Sequence, residues 1–187
     1  EIELSDAGRS LLLAMYSLEG KTTGYRMQRA FSDLHAVRAA KYGFISAPED
    51  FRTAMKEAAN VFIRPFGHDG FEVIDPSVLD LMNSVIRSAP DNAIDIINGA
   101  RAFHQVERVW VVAKAQYGTN VVQALADNAT RIGPKIGELG LMERRRDTAG
   151  GYALLAPSYE RRVAIVIEMY ERTGASAFEE PIYPVFQ

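Results

Sequence analysis

The sequence contains no cysteine, so disulfides, thiolate metal sites and a cysteine nucleophile are excluded. Long apolar runs are missing as well. The longest near the start, Leu11-Leu12-Leu13-Ala14-Met15-Tyr16, falls far short of the roughly 20 residues that a bilayer span needs. No basic stretch precedes it, because the chain opens with Glu1, Glu3 and Asp6; no secretory signal is indicated, and a cytoplasmic protein without membrane contact is expected. Charge of one sign is also lacking. Against 24 Asp and Glu stand 21 Lys and Arg, a formal net charge of −3, which argues against a surface that grips nucleic acid over its whole extent. The three histidines, His35, His68 and His104, fall on different elements with no second ligand at metal spacing, so a zinc site, which gathers three or four donors, is not expected.

What is present is an ordinary globular balance, with 48% hydrophobic and 24% charged residues. A length of 187 residues fits one large domain or two small ones. The first residue is Glu1, and the final Pro181-Ile182-Tyr183-Pro184-Val185-Phe186 is apolar for a solvated tail. Both features fit a piece of a longer polypeptide, and both have plainer explanations in a removed tag or a docked terminus.

Helical periodicity runs from Ser5, an N-cap, to Leu18, with Ala7, Leu11, Ala14, Met15 and Leu18 on one face and Gly20 as the stop. A second helix is expected over Tyr25 to Tyr42, ended by Gly43. Ser46 reads as the cap of a third, with Pro48 in its first turn and Glu49 completing a capping box. The pattern changes at Asn60. Val61-Phe62-Ile63-Arg64 and Phe71-Glu72-Val73-Ile74 are β-prone runs around Gly67-His68-Asp69-Gly70, which reads as a hairpin. A further helix follows Asp75-Pro76-Ser77 and runs to about Ser88.

Three helices, a hairpin and an added helix within residues 1–89 are the element order of a winged-helix domain. Residues 90–187 read as an antiparallel helical array with an apolar C-terminal tail: one long helix from Asp91 to about Tyr117, one starting at Asn120, a short one from Gly133-Pro134, and one capped by Ser158 and stopped by Gly174. The fold class is therefore mainly α with one small β-hairpin.

The sites for chemistry are thin. Gly20-Lys21-Thr22 resembles the end of a phosphate-binding loop, but the earlier glycine that loop needs is replaced by Met15; it reads as a helix end with a solvated lysine. Asp91 and Asp95 are spaced i,i+4, but read as a cap and a surface residue, and no G-x-S-x-G is present. Arg144-Arg145-Arg146 is the densest positive run, suited to phosphate or acidic side chains, or to a solvated helix end. The third helix, which reads DNA in winged-helix regulators, carries Arg52 and Lys56 against Glu49, Asp50 and Glu57. An acidic balance there favours contact with protein over contact with phosphate. The second helix is more basic, through Arg26, Arg29, Arg38 and Lys41 against Asp33.

Leu4-Ser5 with Leu11 to Leu18, then Phe51…Ala54-Met55…Ala59-Asn60-Val61-Phe62-Ile63 and Gly70-Phe71-Glu72-Val73-Ile74-Asp75-Pro76-Ser77-Val78-Leu79-Asp80, resemble the winged-helix end of STAND-type signal-transduction ATPases. The likeness is to the novel STAND proteins found beside bacterial defence systems. In those proteins the wing strand leads into a phrase like N-P-S-[VI]-x-D; here Asp75 stands where Asn is common, which keeps the N-cap chemistry. The likeness covers residues 4–110. It implies a P-loop core upstream of this chain and no hydrolysis or cofactor within it. It also implies a winged helix that rests on that core and swings when a trigger binds.

The expected function is thus a non-catalytic regulatory and interaction region. Its expected partners are the rest of its own polypeptide or other proteins, with self-association allowed and nucleic acid less favoured. The candidate contact surface is Arg26, Arg29, Arg38, Lys41, Arg144, Arg145 and Arg146. The alternative is a DNA-binding winged-helix regulator that dimerises through its helical half, and a third reading is an enzyme whose site assembles from distant residues.

Overall fold

The computed structural model describes residues 4–142 and 157–180. Helix α1 spans Asp6–Ser17, and the Ser5 hydroxyl caps it by accepting the Gly8 amide at 3.0 Å. The same hydroxyl donates to Glu57 at 2.8 Å, which ties the start of α1 to a later helix. Strand β1 (Lys21–Thr23) leads into α2 (Gly24–Tyr42), then α3 (Asp50–Ala58), β2 (Ile63–Phe66) and β3 (Gly70–Val73). The three strands form an antiparallel sheet in the order β1-β3-β2. That element order and sheet order are the winged-helix topology, with the β2–β3 hairpin as the wing.

The third strand differs from the sequence expectation, which left Gly20-Lys21-Thr22 as a helix end. Lys-Thr-Thr has no apolar alternation of its own; it becomes a strand because β3 presents an open edge. Register places Lys21 opposite Glu72 and Thr23 opposite Gly70. A Cβ at Gly70 would sit 2.7 Å from the Phe66 carbonyl oxygen, so only glycine lets the strands close here. On β3, Phe71 and Val73 pack against the core while Glu72 alternates outward.

The start of α3 also differs. Its first residue is Asp50, and Glu49 makes no side-chain cap; the Asp50 carboxylate instead accepts the Ala47 amide at 2.6 Å. The local turn is thus held by a residue inside the helix, in place of a Ser46 capping box.

The second half contains α4 (Ser77–Ser88), α5 (Asp91–Asn98), α6 (Phe103–Lys114), α7 (Thr119–Asp127), α8 (Ala129–Leu141), α9 (Tyr159–Thr173) and a 3-10 turn at Ser176–Phe178. The single long helix expected from Asp91 is broken into α5 and α6. Gly99 lies against the backbone of α2, where a Cβ would come within 2.8 Å of the Leu34 Cα. Gln105 then reaches back to the amides of Arg101 and Ala102, which satisfies donors at the new helix start. Helix α8 runs unbroken through Gly133 and Pro134, where a new short helix was expected.

Helix α1 is the axis of the molecule. Leu11, Leu12, Leu13, Ala14, Met15 and Tyr16 are all buried, so the helix is apolar on every side, and not on one face as its periodicity suggested. It packs on α2 and α3 on one side and on α4, α5 and α6 on the other. One contiguous apolar cluster therefore runs from Ala7 to Phe178, through both the 1–89 and the 90–187 segments. No helix among the described residues is long and apolar enough to cross a membrane.

Candidate protein-interaction face

The cations of α2 divide along the helix. Arg38 is buried and donates to Asp95 at 3.0 Å and to Asn92 at 2.9 Å. Lys41 donates to the same Asp95 at 2.8 Å and lies 3.3 Å from Asp91. The Tyr42 hydroxyl completes the cluster, donating to Asp95 at 2.9 Å. Arg38 and Lys41 therefore fasten α2 to α5; Arg38 is buried in doing so, while Lys41 stays exposed at the surface. Arg26 and Arg29 sit at the other end of α2. Arg29 is exposed and donates to the Tyr25 hydroxyl at 2.8 Å. Arg144, Arg145 and Arg146 lie outside the described residues.

Helix α3 presents Arg52, Thr53 and Lys56 to solvent, and Ile45, in the turn before it, is 92% exposed. In the wing next to it two cations share one carboxylate. Glu72 on the central strand meets Lys21 at 3.4 Å on one side and Arg64 at 2.9 Å on the other. Partial burial opposes ionisation of Glu72, but its hydrogen bonds to Arg64 and Lys21 hold its carboxyl below the usual range. Lys21 also lies 3.3 Å from the centroid of the Phe66 ring. The wing turn, Gly67-His68-Asp69, carries no Lys or Arg, and its Asp69 carbonyl accepts the Gly24 amide at 2.7 Å.

Three residues far apart in sequence form a serine–histidine–aspartate line. His35 Nδ1 is 3.0 Å from Ser10 Oγ, and His35 Nε2 is 3.0 Å from Asp50 Oδ2. The Ala47 amide holds the Asp50 carboxyl below its usual range, with burial opposing and His35 adding to the effect. The spacing resembles a hydrolytic triad, but the surroundings do not. Ser10 is fully buried and its hydroxyl donates to the Asp6 carbonyl at 2.8 Å, while the Phe31 ring stacks on His35 at 4.8 Å. No substrate carbonyl can reach that oxygen. The line joins α1, α2 and the start of α3, and so fixes the helix that faces outward.

A cleft of about 950 Å³ opens between α2, the α5–α6 turn and α8. Arg26, Arg29, Arg101, His104 and Lys135 are among its walls. Arg101 and Asp33 form a two-pronged ion pair across it, one prong Nη2 to Oδ1 at 2.7 Å. Sequence reasoning, which weighed His104 only as a metal ligand, did not bring it together with Arg101 and Lys135, because the three come from separate elements. Among the described residues no group of three or more His, Asp or Glu side chains is placed to hold a metal ion.

Comparison with family models, curated proteins and solved structures found no match to this chain.

Proposed function

We propose that this chain is a non-catalytic regulatory region that works by contacting protein, with α3 and the wing as its contact face, within a larger STAND-type signal-transduction ATPase in the cytoplasm. The observation that carries this reading is the pairing of Lys21 and Arg64 with Glu72. In a DNA-reading wing, cations face phosphate; here those of the sheet are spent on a carboxylate of the same sheet, and each phosphate contact forgone lowers affinity for nucleic acid. Ile45, exposed beside α3, supplies the kind of apolar contact that a protein partner buries. A face of this type suits a region that rests on a neighbouring core and leaves it on a trigger, which requires two packings biased by different contacts.

The reading is tested by the coding sequence upstream of Glu1 together with a binding assay. A P-loop core encoded there is expected to co-purify with the 187-residue chain, and Ile45→Asp is expected to abolish the association. A start codon directly before Glu1, or a core that ignores Ile45→Asp, would overturn it. The second reading, a DNA-binding regulator, rests on one observation: Arg52 and Lys56 both stand exposed on α3. Its signature is a salt-dependent gel shift lost on reversing those two charges.

A further inference from the structure

We propose that the seam between α4 and α6, over Tyr16, docks an acidic segment of a protein partner, with its carboxylates on Arg87 and Arg108 and an apolar side chain over Val111. The seam lies across α1 from α3, so it does not depend on the contact face assigned there. Helices α4 and α6 pack against each other, and both pack on α1. Tyr16 of α1 is fully buried between them. Its hydroxyl donates to Asn83 of α4 at 2.8 Å, and the Arg108 guanidinium of α6 lies 4.4 Å from its ring centroid. The charge around this phenol is of one sign. Burial pushes its pKa up to about 12, and the groups that oppose the rise are Arg108 and then Arg87, with no carboxylate acting on it.

Arg87 and Arg108 are both half-buried, and among the described residues neither meets a carboxylate. Arg87 donates only to Ser84 of its own helix, at 3.4 Å, and the Nε of Arg108 is buried without a hydrogen-bond partner. Lys21, Arg38, Lys114 and Lys135, buried or half-buried like them, each meet an Asp or Glu within 3.5 Å. A cation drawn partly out of water without a counter-charge is costly, and a carboxylate brought by a partner offsets that cost. Glu107, next in sequence to Arg108, does not supply it, because it holds Arg161 at 2.9 Å. Val111 follows Arg108 by one turn of α6 and is 45% exposed, so an apolar spot borders the cations. Arginine beside an apolar side chain is what protein contacts bury well. Nucleic acid fits less well, because two guanidiniums on a chain of net charge −3 offer few phosphate contacts.

The experiment is fluorescence anisotropy of a labelled synthetic peptide of repeating Glu-Glu-Leu, titrated with the full chain at low salt. Saturable binding with a Kd below about 100 μM is expected, weakening steeply as salt is added. A Gln-Gln-Leu peptide of the same length should bind at least about tenfold more weakly. Arg87→Glu is expected to cost about tenfold in affinity at unchanged Tm. Val111→Asp, at an exposed position, keeps the test open should Arg87→Glu disturb the fold: it sets a like charge against the peptide, and a similar loss is expected. Reversing Arg52 and Lys56 on α3 should leave the affinity unchanged, which separates this seam from the face across α1. No saturable binding, equal affinity for the uncharged peptide, indifference to both Arg87→Glu and Val111→Asp, or tighter binding of an oligothymidylate than of the acidic peptide would overturn the site.

Discussion

Asp95 of α5 receives the guanidinium of Arg38 from α2 at 3.0 Å, with side-chain exposures of 0% and 8%. This buried pair, and not helix propensity, decides how the basic helix lies on the second half of the molecule. Asp95→Ala leaves a guanidinium buried beside Asn92 alone, and breaking such a pair costs about 3–5 kcal/mol. Replacing both partners, Arg38→Met with Asp95→Leu, should recover most of that loss. Urea unfolding of the two variants checks it: the double variant is expected to be the more stable one.

His104 contributes to the acid side of the stability curve, alongside the carboxylates of Asp50 and Glu72. Burial, then Arg26, lowers its pKa from 6.5 to about 4, so the unfolded chain takes up a proton that the folded one refuses. The stability this contributes is complete above pH 6.5 and drains away as pH falls toward 4, by up to about 3 kcal/mol. In His104→Gln the curve over that interval should flatten.

Tyr16 acts at the alkaline side. It is buried in α1, its hydroxyl donates to Asn83 at 2.8 Å, and Arg108 lies over its ring at 4.4 Å. Burial pushes its pKa up to about 12, against the pull of Arg108. The folded phenol stays neutral where the unfolded one ionises. Stability is therefore unaffected below pH 10 and falls as pH rises from there toward 12, by about 2–3 kcal/mol. Tyr16→Phe should remove that slope, read by unfolding at a series of alkaline pH values, at the cost of the Asn83 hydrogen bond, about 1 kcal/mol.

Ser10, despite its triad-like spacing, is expected to be chemically silent. A fluorophosphonate reagent should leave it unlabelled in the folded protein, because the hydroxyl is fully buried and committed to the Asp6 carbonyl. Ser10→Ala should cost about 1–3 kcal/mol, through the partner it takes from His35 Nδ1. Labelling of Ser10, measured by mass spectrometry, would contradict the structural role given to this line.

The contrasts between sequence and structure follow the range of the forces involved. Ser5, Ser158, Gly43 and Gly174 mark helix ends where expected, since a cap is decided within one turn of chain. The mainly helical class and the hairpin after Asn60 follow from periodicity for the same reason. Strand β1 was hidden because Lys21-Thr22-Thr23 gains its conformation only from β3, about fifty residues later. The break at Gly99 answers a contact with Leu34, which no local pattern announces. Arg38 reads as a surface cation because its partner, Asp95, lies on another helix. The cleft was illegible for a related reason: its walls come from α2, α6, α8 and α9, and only packing around α1 brings them together.

The central claim, that α3 and the wing face protein, is tested most directly by fluorescence anisotropy of a labelled DNA duplex mixed with this chain at low salt, where phosphate contacts are strongest. With Glu72 holding both Lys21 and Arg64, the account predicts no saturable binding, and no change on adding salt or on reversing Arg52 and Lys56. A saturable isotherm that weakens steeply with salt and disappears in Arg52→Glu with Lys56→Glu would contradict it.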